Sequence, residues 1–374
     1  MDLYFMSEKN IMTTPAASEN YFPKARFGPS YLSAAVEKLF QGSASKISCQ
    51  PLAGDASDRS YFRVSLKEQA SFKGPRSLIV MQLKEPVPEP ETDFTRILNF
   101  LRGLDLPAPE LFYYDVPMGL LFLEDCGVRT LEDQLNESPQ SKAQLYRQAV
   151  ELLVHMQTRA TRAVDAECPA YHLRFDVEKL MWEFDFMLDH YVGELCGSPL
   201  ESSVRKEVRE AFMPLCEPLA AEELCFTHRD YHSRNLMVDG TRLVLIDFQD
   251  ARMGPCQYDL VSLLKDSYAH VDSALLEELV DYYIRLKEEA EGRKVDREKF
   301  ARIFDAMSVQ RNLKAVGTFA FQSVKKNTDR YTGYITPTLA YVRQTLDRRF
   351  GGSVLRETLL KHIPGLEGKE AVGL

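Results

Sequence analysis

Residues 226–259 read FTHRDYHSRNLMVDGTRLVLIDFQDARMGPCQYD, and the order of polar groups in this stretch constrains the chain more than any other feature. His228-Arg229-Asp230 is followed, after four residues, by Asn235. Asp239 and Gly240 then read as a turn, residues 243–246 as an apolar strand, and that strand ends in Asp247. A hairpin between Asn235 and Asp247 would return the second carboxylate beside the first loop. Three groups are thereby collected. Asp230 is a carboxylate able to accept a hydrogen bond from an alcohol, and Asn235 and Asp247 are hard oxygen donors of the kind Mg²⁺ prefers. Phosphoryl transfer from a nucleotide needs few protein groups beyond these. A lone HRD arises often by chance; one followed by Asn at this offset, a hairpin and an apolar strand ending in Asp-Phe does not. His228 reads as a structural residue that orients the loop, together with Arg229. Asp259 opens the next helical pattern, where it can cap the helix or brace the loop through Arg229 or backbone N–H groups.

Protein kinases space their catalytic loop in this way and place a later Asp before Phe-Gly. Here that tripeptide is Asp247-Phe248-Gln249, without the Gly. The stretch resembles the aminoglycoside phosphotransferase and choline kinase superfamily, a branch of the protein-kinase-like fold. Within it, three segments resemble the bacterial anomeric kinases that phosphorylate N-acetylmuramate and N-acetylglucosamine at C1. They are GDASDRSYFRV at 54–64, IDFQDARMGPCQYDLVSLLKD at 246–266 and QRNLKAVGTFA at 310–320. The likeness runs from about residue 51 to residue 346. It implies an α+β, two-lobed fold: a small lobe with a five-stranded antiparallel sheet, and a larger, mainly helical lobe. It also implies ATP as co-substrate, Mg²⁺ on Asn235 and Asp247, Asp230 as the catalytic base, and a small-molecule acceptor, in this subgroup an amino sugar.

The rest of the chain is consistent with that division. Residues 1–28 read as a flexible N-terminal segment, 29–125 as the nucleotide-binding lobe and 126–374 as the helical catalytic and acceptor-binding lobe. Residues 31–40 have the spacing of a short helix, and 47–52, 60–66 and 78–83 read as strands. An amphipathic helix at 93–104 and strands at 111–115 and 120–124 complete the first half. Helical patterns dominate from Thr130, with the clearest periodicity at 146–157, 178–191, 275–288, 297–318 and 337–350. The aromatic-rich stretch 178–191 reads as core before it reads as pocket lining. The tail after Gly351 reads as frayed.

Several site residues are weaker readings. The polar turn between the first two strands contains Gly54, Asp55, Ala56 and Ser57, small enough for backbone N–H groups to approach phosphates, or to form a plain hairpin. Kinases carry a phosphate-gripping Lys on the third strand, yet residues 78–84 read LIVMQLK. Met81 and Gln82 stand where it is expected, leaving Lys84 or Arg63 as the substitute cation. Glu124 would begin the hinge that pairs with adenine. Gln249, Asp250 and Arg252, just past the metal Asp, bind acceptor hydroxyls or order the loop. Arg311 either holds an acceptor carboxylate or the transferred phosphate, or forms an inter-helix salt bridge.

Composition narrows the partners. A net charge of −9 argues against a general nucleic-acid binder. No apolar run is long enough for a transmembrane helix, and MDLYFMSEKNIMTTP lacks a signal-peptide core. Seven Cys without a C-x-x-C pair read as reduced thiols in a cytoplasmic protein. Three functions remain open: an anomeric amino-sugar kinase, another kinase of the same fold acting on an aminoglycoside, choline, homoserine or a hexose, and a non-catalytic nucleotide-binding pseudokinase. Acceptor identity and oligomeric state are not legible.

Overall fold

Alternation of apolar and polar residues builds the sheet. In β2 (Ser60–Lys67) Phe62, Val64 and Leu66 are buried, and their neighbours are more exposed. That period of two sends one face to a core and the other outward. The computed structural model describes residues 25–41, 46–52, 59–67 and 74–368. The turn with Gly54, Asp55, Ala56 and Ser57 lies outside the described residues, as does the N-terminal segment up to residue 24.

The chain parts into two compact units: one reaches to Pro88 and takes in Leu111–Asp125, and the other comprises Glu89–Glu110 and Cys126 onward. In the first unit α1 (Pro29–Phe40) precedes β1 (Lys46–Pro51), β2, β3 (Ser77–Gln82), β4 (Leu111–Asp115) and β5 (Leu120–Glu124). The strands form one antiparallel sheet in the order β1-β2-β3-β5-β4. Leu32 and Val36 of α1 join Phe27, Phe62, Val64, Leu78, Val80, Leu120 and Phe122 in a buried cluster. The third strand indeed carries no Lys: Met81 is fully buried, and Gln82 Oε1 accepts a hydrogen bond from Arg26 N at 2.7 Å. Lys84 lies exposed beyond the strand end. Arg63 is engaged by Asp125 in a two-pronged ion pair at 2.8 and 3.0 Å.

The second unit is helical around two small hairpin-like pairings. Its elements are α2 (Asp93–Gly103), α3 (Leu131–Glu137), α4 (Lys142–Ala163), α5 (Val177–Met187), α6 (Ser202–Ala220), β6 (Cys225–Thr227), β7 (Leu236–Asp239), β8 (Arg242–Leu245), β9 (Arg252–Gly254), α7 (Gln257–Leu264), α8 (Ser273–Glu291), α9 (Arg297–Lys326), α10 (Ile335–Arg349) and α11 (Val354–His362). With the antiparallel sheet of the first unit, this is the α+β composition expected. The 178–191 pattern is α5 and a π-helical continuation, Leu188–Leu195. Its stripe is core at Phe184, which stacks on Phe212 of α6, whereas Trp182 is exposed.

Two elements depart from the sequence reading. The tail is not frayed: Ser353 caps α11 by accepting from Arg356 N, and Leu355, Leu359, Ile363 and Leu366 are buried. Apolar spacing of four residues decides it. Helix α6 contains Pro214 and Pro218, which argue locally against a helix. Both prolines sit on its exposed face, and burial of Val208, Ala211, Phe212, Leu215, Cys216 and Leu219 overrides them.

Helix α9 packs against α5 at a point where no side chain fits. A methyl group on Gly317 would come 2.7 Å from Met187 Cα. Gly317→Ala is therefore expected to lower the unfolding free energy by ~1–3 kcal/mol, the usual scale of overpacking. Thermal unfolding would register it, and an unchanged midpoint would show that the two helices part freely.

Candidate active site

Strand β6 delivers the HRD loop. Its Thr227 Oγ1 donates to Arg252 O at 2.8 Å across the β6–β9 pair. Beyond it Arg229 adopts φ 80°, a left-handed conformation unusual for a long side chain. Such a residue carries strain on the order of 1–3 kcal/mol and persists only where its surroundings impose it. Here two buried carboxylates do so. Asp259, in the first turn of α7, accepts from His228 N at 2.7 Å and Arg229 N at 2.9 Å. Burial pushes its carboxyl up to about 7, against the pull of those N–H groups. Asp266, just past α7, accepts from Ser233 N and Tyr268 N, both at 2.9 Å. Farther along, Tyr231 Oη donates to Ala149 O, and Arg234 pairs with Glu132 at 2.6 Å. Asp259 thus braces the loop through backbone N–H groups, and His228 is wholly buried, edge-on to Tyr231.

The loop presents Asp230 with about a quarter of its side chain exposed, 24%. Burial alone would raise its carboxyl, but the charges of Lys314 and Arg229 outweigh that and hold it well below the usual carboxylate range. Lys314 Nζ of α9 donates to Asp230 Oδ1 at 2.9 Å. His232, pushed down to about 3 by burial and the Arg311 charge, stays neutral.

Asn235 and Asp247 meet as the hairpin requires. Strand β7 pairs with β8 from Leu236↔Leu245 to Asp239↔Arg242, so the turn is Gly240-Thr241, one residue later than expected. Gly240 supplies the positive φ (61°) at its first position. Asn235 Nδ2 donates to Asp230 O at 2.9 Å and approaches Asp247 Oδ2 at 3.5 Å. Asp247 itself has φ 63°, a second left-handed residue at the site. Among the described residues no three His, Cys, Asp or Glu side chains gather as a self-sufficient metal site. Two adjoining oxygen donors suit Mg²⁺, which is held by one or two carboxylates and completed by phosphates and water.

The acceptor candidates divide. Gln249 Nε2 donates to Asp247 Oδ1 at 2.9 Å and so orders the metal pair. Asp250 takes Arg229 at 3.2 Å. Arg252 is nearly buried, its guanidinium 5.2 Å over the Phe175 ring. Arg311 is buried on α9 and, among the described residues, forms no ion pair, so the inter-helix salt bridge is absent. Sequence reading missed Lys314, Lys179 and Glu183. Glu183 is buried on α5, accepts from Gln310 Nε2 at 2.7 Å and lies 3.8 Å from both Lys179 and Arg229. Burial lowers the Lys179 amine to about 8; Glu183 opposes this, and Arg229, Arg252 and Lys314 add to it. The signal for Lys314 was its place one helical turn after Arg311, on the same face of α9.

A family model described as "Phosphotransferase enzyme family" matches residues 48–295, about two thirds of the chain. The chain belongs to this phosphotransferase family. The N-acetylmuramate/N-acetylglucosamine kinase of Pseudomonas aeruginosa is 31% identical over 330 residues, covering 86% of this chain and 89% of that protein. The kinase of the same name from Neisseria meningitidis serogroup B is 30% identical over 323 residues, 85% of this chain and 91% of that one. Among solved structures, a putative aminoglycoside phosphotransferase from Ralstonia eutropha superposes with a TM-score of 0.60 at 14% identity, covering 90% of this chain and 99% of that one. The fold is therefore the protein-kinase-like one, and the chain is an ATP-dependent phosphotransferase. No helix among the described residues is long and apolar enough to cross a membrane.

Proposed function

We propose that this phosphotransferase transfers the γ-phosphoryl group of ATP to the anomeric hydroxyl of N-acetylmuramate or N-acetylglucosamine, as in cell-wall sugar recycling. The observation that carries this reading is the near full-length similarity to two kinases bearing that name. Asp230 receives the hydrogen bond of the attacking hydroxyl and takes its proton as the new O–P bond forms; the bond to the leaving β-phosphate oxygen breaks, and its electron pair departs with ADP. Asn235 and Asp247 would hold Mg²⁺, which when bound neutralises charge on the β- and γ-phosphates. His228, Arg229 and Asp259 keep the loop in shape, and Gln249 keeps Asp247 aimed. An anomeric hydroxyl is more acidic than other sugar hydroxyls, which suits a carboxylate base.

The basic groups support an uncharged or anionic acceptor. Lys179, Arg229, Arg252 and Lys314 lie close enough for the last three to push the Lys179 amine down. A polycationic aminoglycoside would meet repulsion there, at a cost that grows as water is excluded. Gly54, Asp55, Ala56, Ser57, Lys84 and Glu124 remain the proposed nucleotide contacts of the segment 29–125.

Incubation with Mg-ATP and N-acetylglucosamine or N-acetylmuramate, followed by phosphorus NMR, is expected to give an acid-labile 1-phosphate. A 6-phosphate, or turnover with choline or aminoglycosides alone, would overturn the acceptor reading and leave the kinase intact. Tight nucleotide binding without turnover of any acceptor would favour the pseudokinase.

A further inference from the structure

The site contains a charge that the loop and the metal pair do not account for. Lys314 sits on α9, 84 residues from Asp230 in sequence, and its ammonium donates to Asp230 Oδ1 at 2.9 Å. Its side chain is only 12% exposed. An ammonium has three N–H donors. Among the described residues Asp230 is the only hydrogen-bond partner of that ammonium, so two donors remain. Holding a Lys here is a poor stability device, since desolvating an ion pair offsets most of the attraction it gains. Meanwhile the first unit lacks the third-strand Lys, and Arg63 is committed to Asp125.

An acceptor hydroxyl bonded to Asp230 would share that carboxylate with Lys314. Two hydrogen bonds to one carboxylate place the attacking oxygen and the ammonium on the order of 3–5 Å apart. The phosphorus arrives at that oxygen, and in the transition state charge is spread over its three equatorial oxygens. We propose that Lys314 is a catalytic residue, its two remaining N–H groups contacting the transferred phosphoryl group and supplying positive charge from the acceptor side. The inference rests on the reading of Asp230 as the residue that receives the hydroxyl. Lys314 gains and loses no proton in the step; it stabilises charge that develops on the phosphoryl oxygens as the bond to ADP breaks.

The test compares wild type, Lys314→Met, Lys314→Arg, Asp230→Asn and the Asp230→Asn/Lys314→Met double variant, each checked for an intact melting transition and nucleotide binding. With N-acetylglucosamine as acceptor, Lys314→Met is expected to lower kcat by about 10²–10³-fold, the scale of one lost oxyanion donor. KM for sugar and ATP should change little, and Lys314→Arg should recover at least about tenfold of the loss, since Arg also presents charged donors. The double variant decides between contact and mere positioning. A ligand of the phosphoryl group still matters when Asp230 is gone, so a further drop beyond Asp230→Asn is expected. No further drop would reduce Lys314 to a positioning residue for Asp230 and overturn the proposal, as would a loss confined to KM. If wild type phosphorylates neither sugar, the acceptor reading has failed on its own. Mg-ATP hydrolysis by the same five proteins then reads the Lys314 effect with water as acceptor, and an unchanged hydrolysis rate in Lys314→Met overturns it.

Discussion

Asp247→Ala is expected to abolish Mg²⁺-dependent turnover, with kcat falling by on the order of 10³-fold or more, because a metal at a phosphoryl centre contributes several kcal/mol of charge stabilisation. Asp247 ends the apolar run after β8 in a left-handed conformation, within 3.5 Å of the Asn235 amide and held by Gln249. Asn235 alone offers a neutral oxygen, a weak hold on a hard dication. Raising Mg²⁺ should restore little of the rate, and nucleotide affinity should lose its dependence on the metal. Recovery of the wild-type rate at ordinary Mg²⁺ would assign the ligand to another carboxylate. Stability should fall little, because Phe248, stacked on Phe94 at 5.1 Å, anchors the segment independently.

Asp230→Asn is expected to keep the fold and nucleotide binding while lowering kcat at least ~10²-fold, the scale of losing a positioned base. The substitution keeps the shape of the side chain. It removes the charge that Lys314 pairs with and the acceptor strength that an attacking hydroxyl needs. Because the neutral amide no longer attracts the ammonium, Lys314 should become more mobile, visible as a broadened Nζ or Hε signal in NMR of the labelled lysines. An unchanged kcat at saturating acceptor would exclude Asp230 as the base.

The sequence by itself determined the catalytic chemistry, because that chemistry is written at short range. Asp230 and Asn235 are brought together by one loop, and Asp247 is returned by a hairpin whose two pairing strands are four residues each. Loop spacing and period-two burial are local rules, so the order of the three groups, the five-stranded sheet and the missing third-strand Lys were all legible. Even the slip of the turn by one residue, to Gly240-Thr241, left both carboxylates where the spacing put them. The bracing role of Asp259 was legible too, as one of two readings that helix position allowed.

Tertiary structure alone decided the rest. Lys314 reaches Asp230 only because α9 packs across the loop, and no local pattern relates residues so far apart. Glu183 on α5 and Asp266 after α7 enter the site in the same way, each through a helix whose rotation is set by its buried face. Helix α6 forms against its prolines, since six buried apolar side chains outweigh two unfavourable positions on the solvent face. The α11 tail, read as frayed, is ordered by four buried side chains and by Tyr191 Oη donating to Pro364 O at 2.8 Å. Propensity and spacing act between neighbours along the chain, whereas which charge faces Asp230 depends on contacts that exist only once the helices have packed.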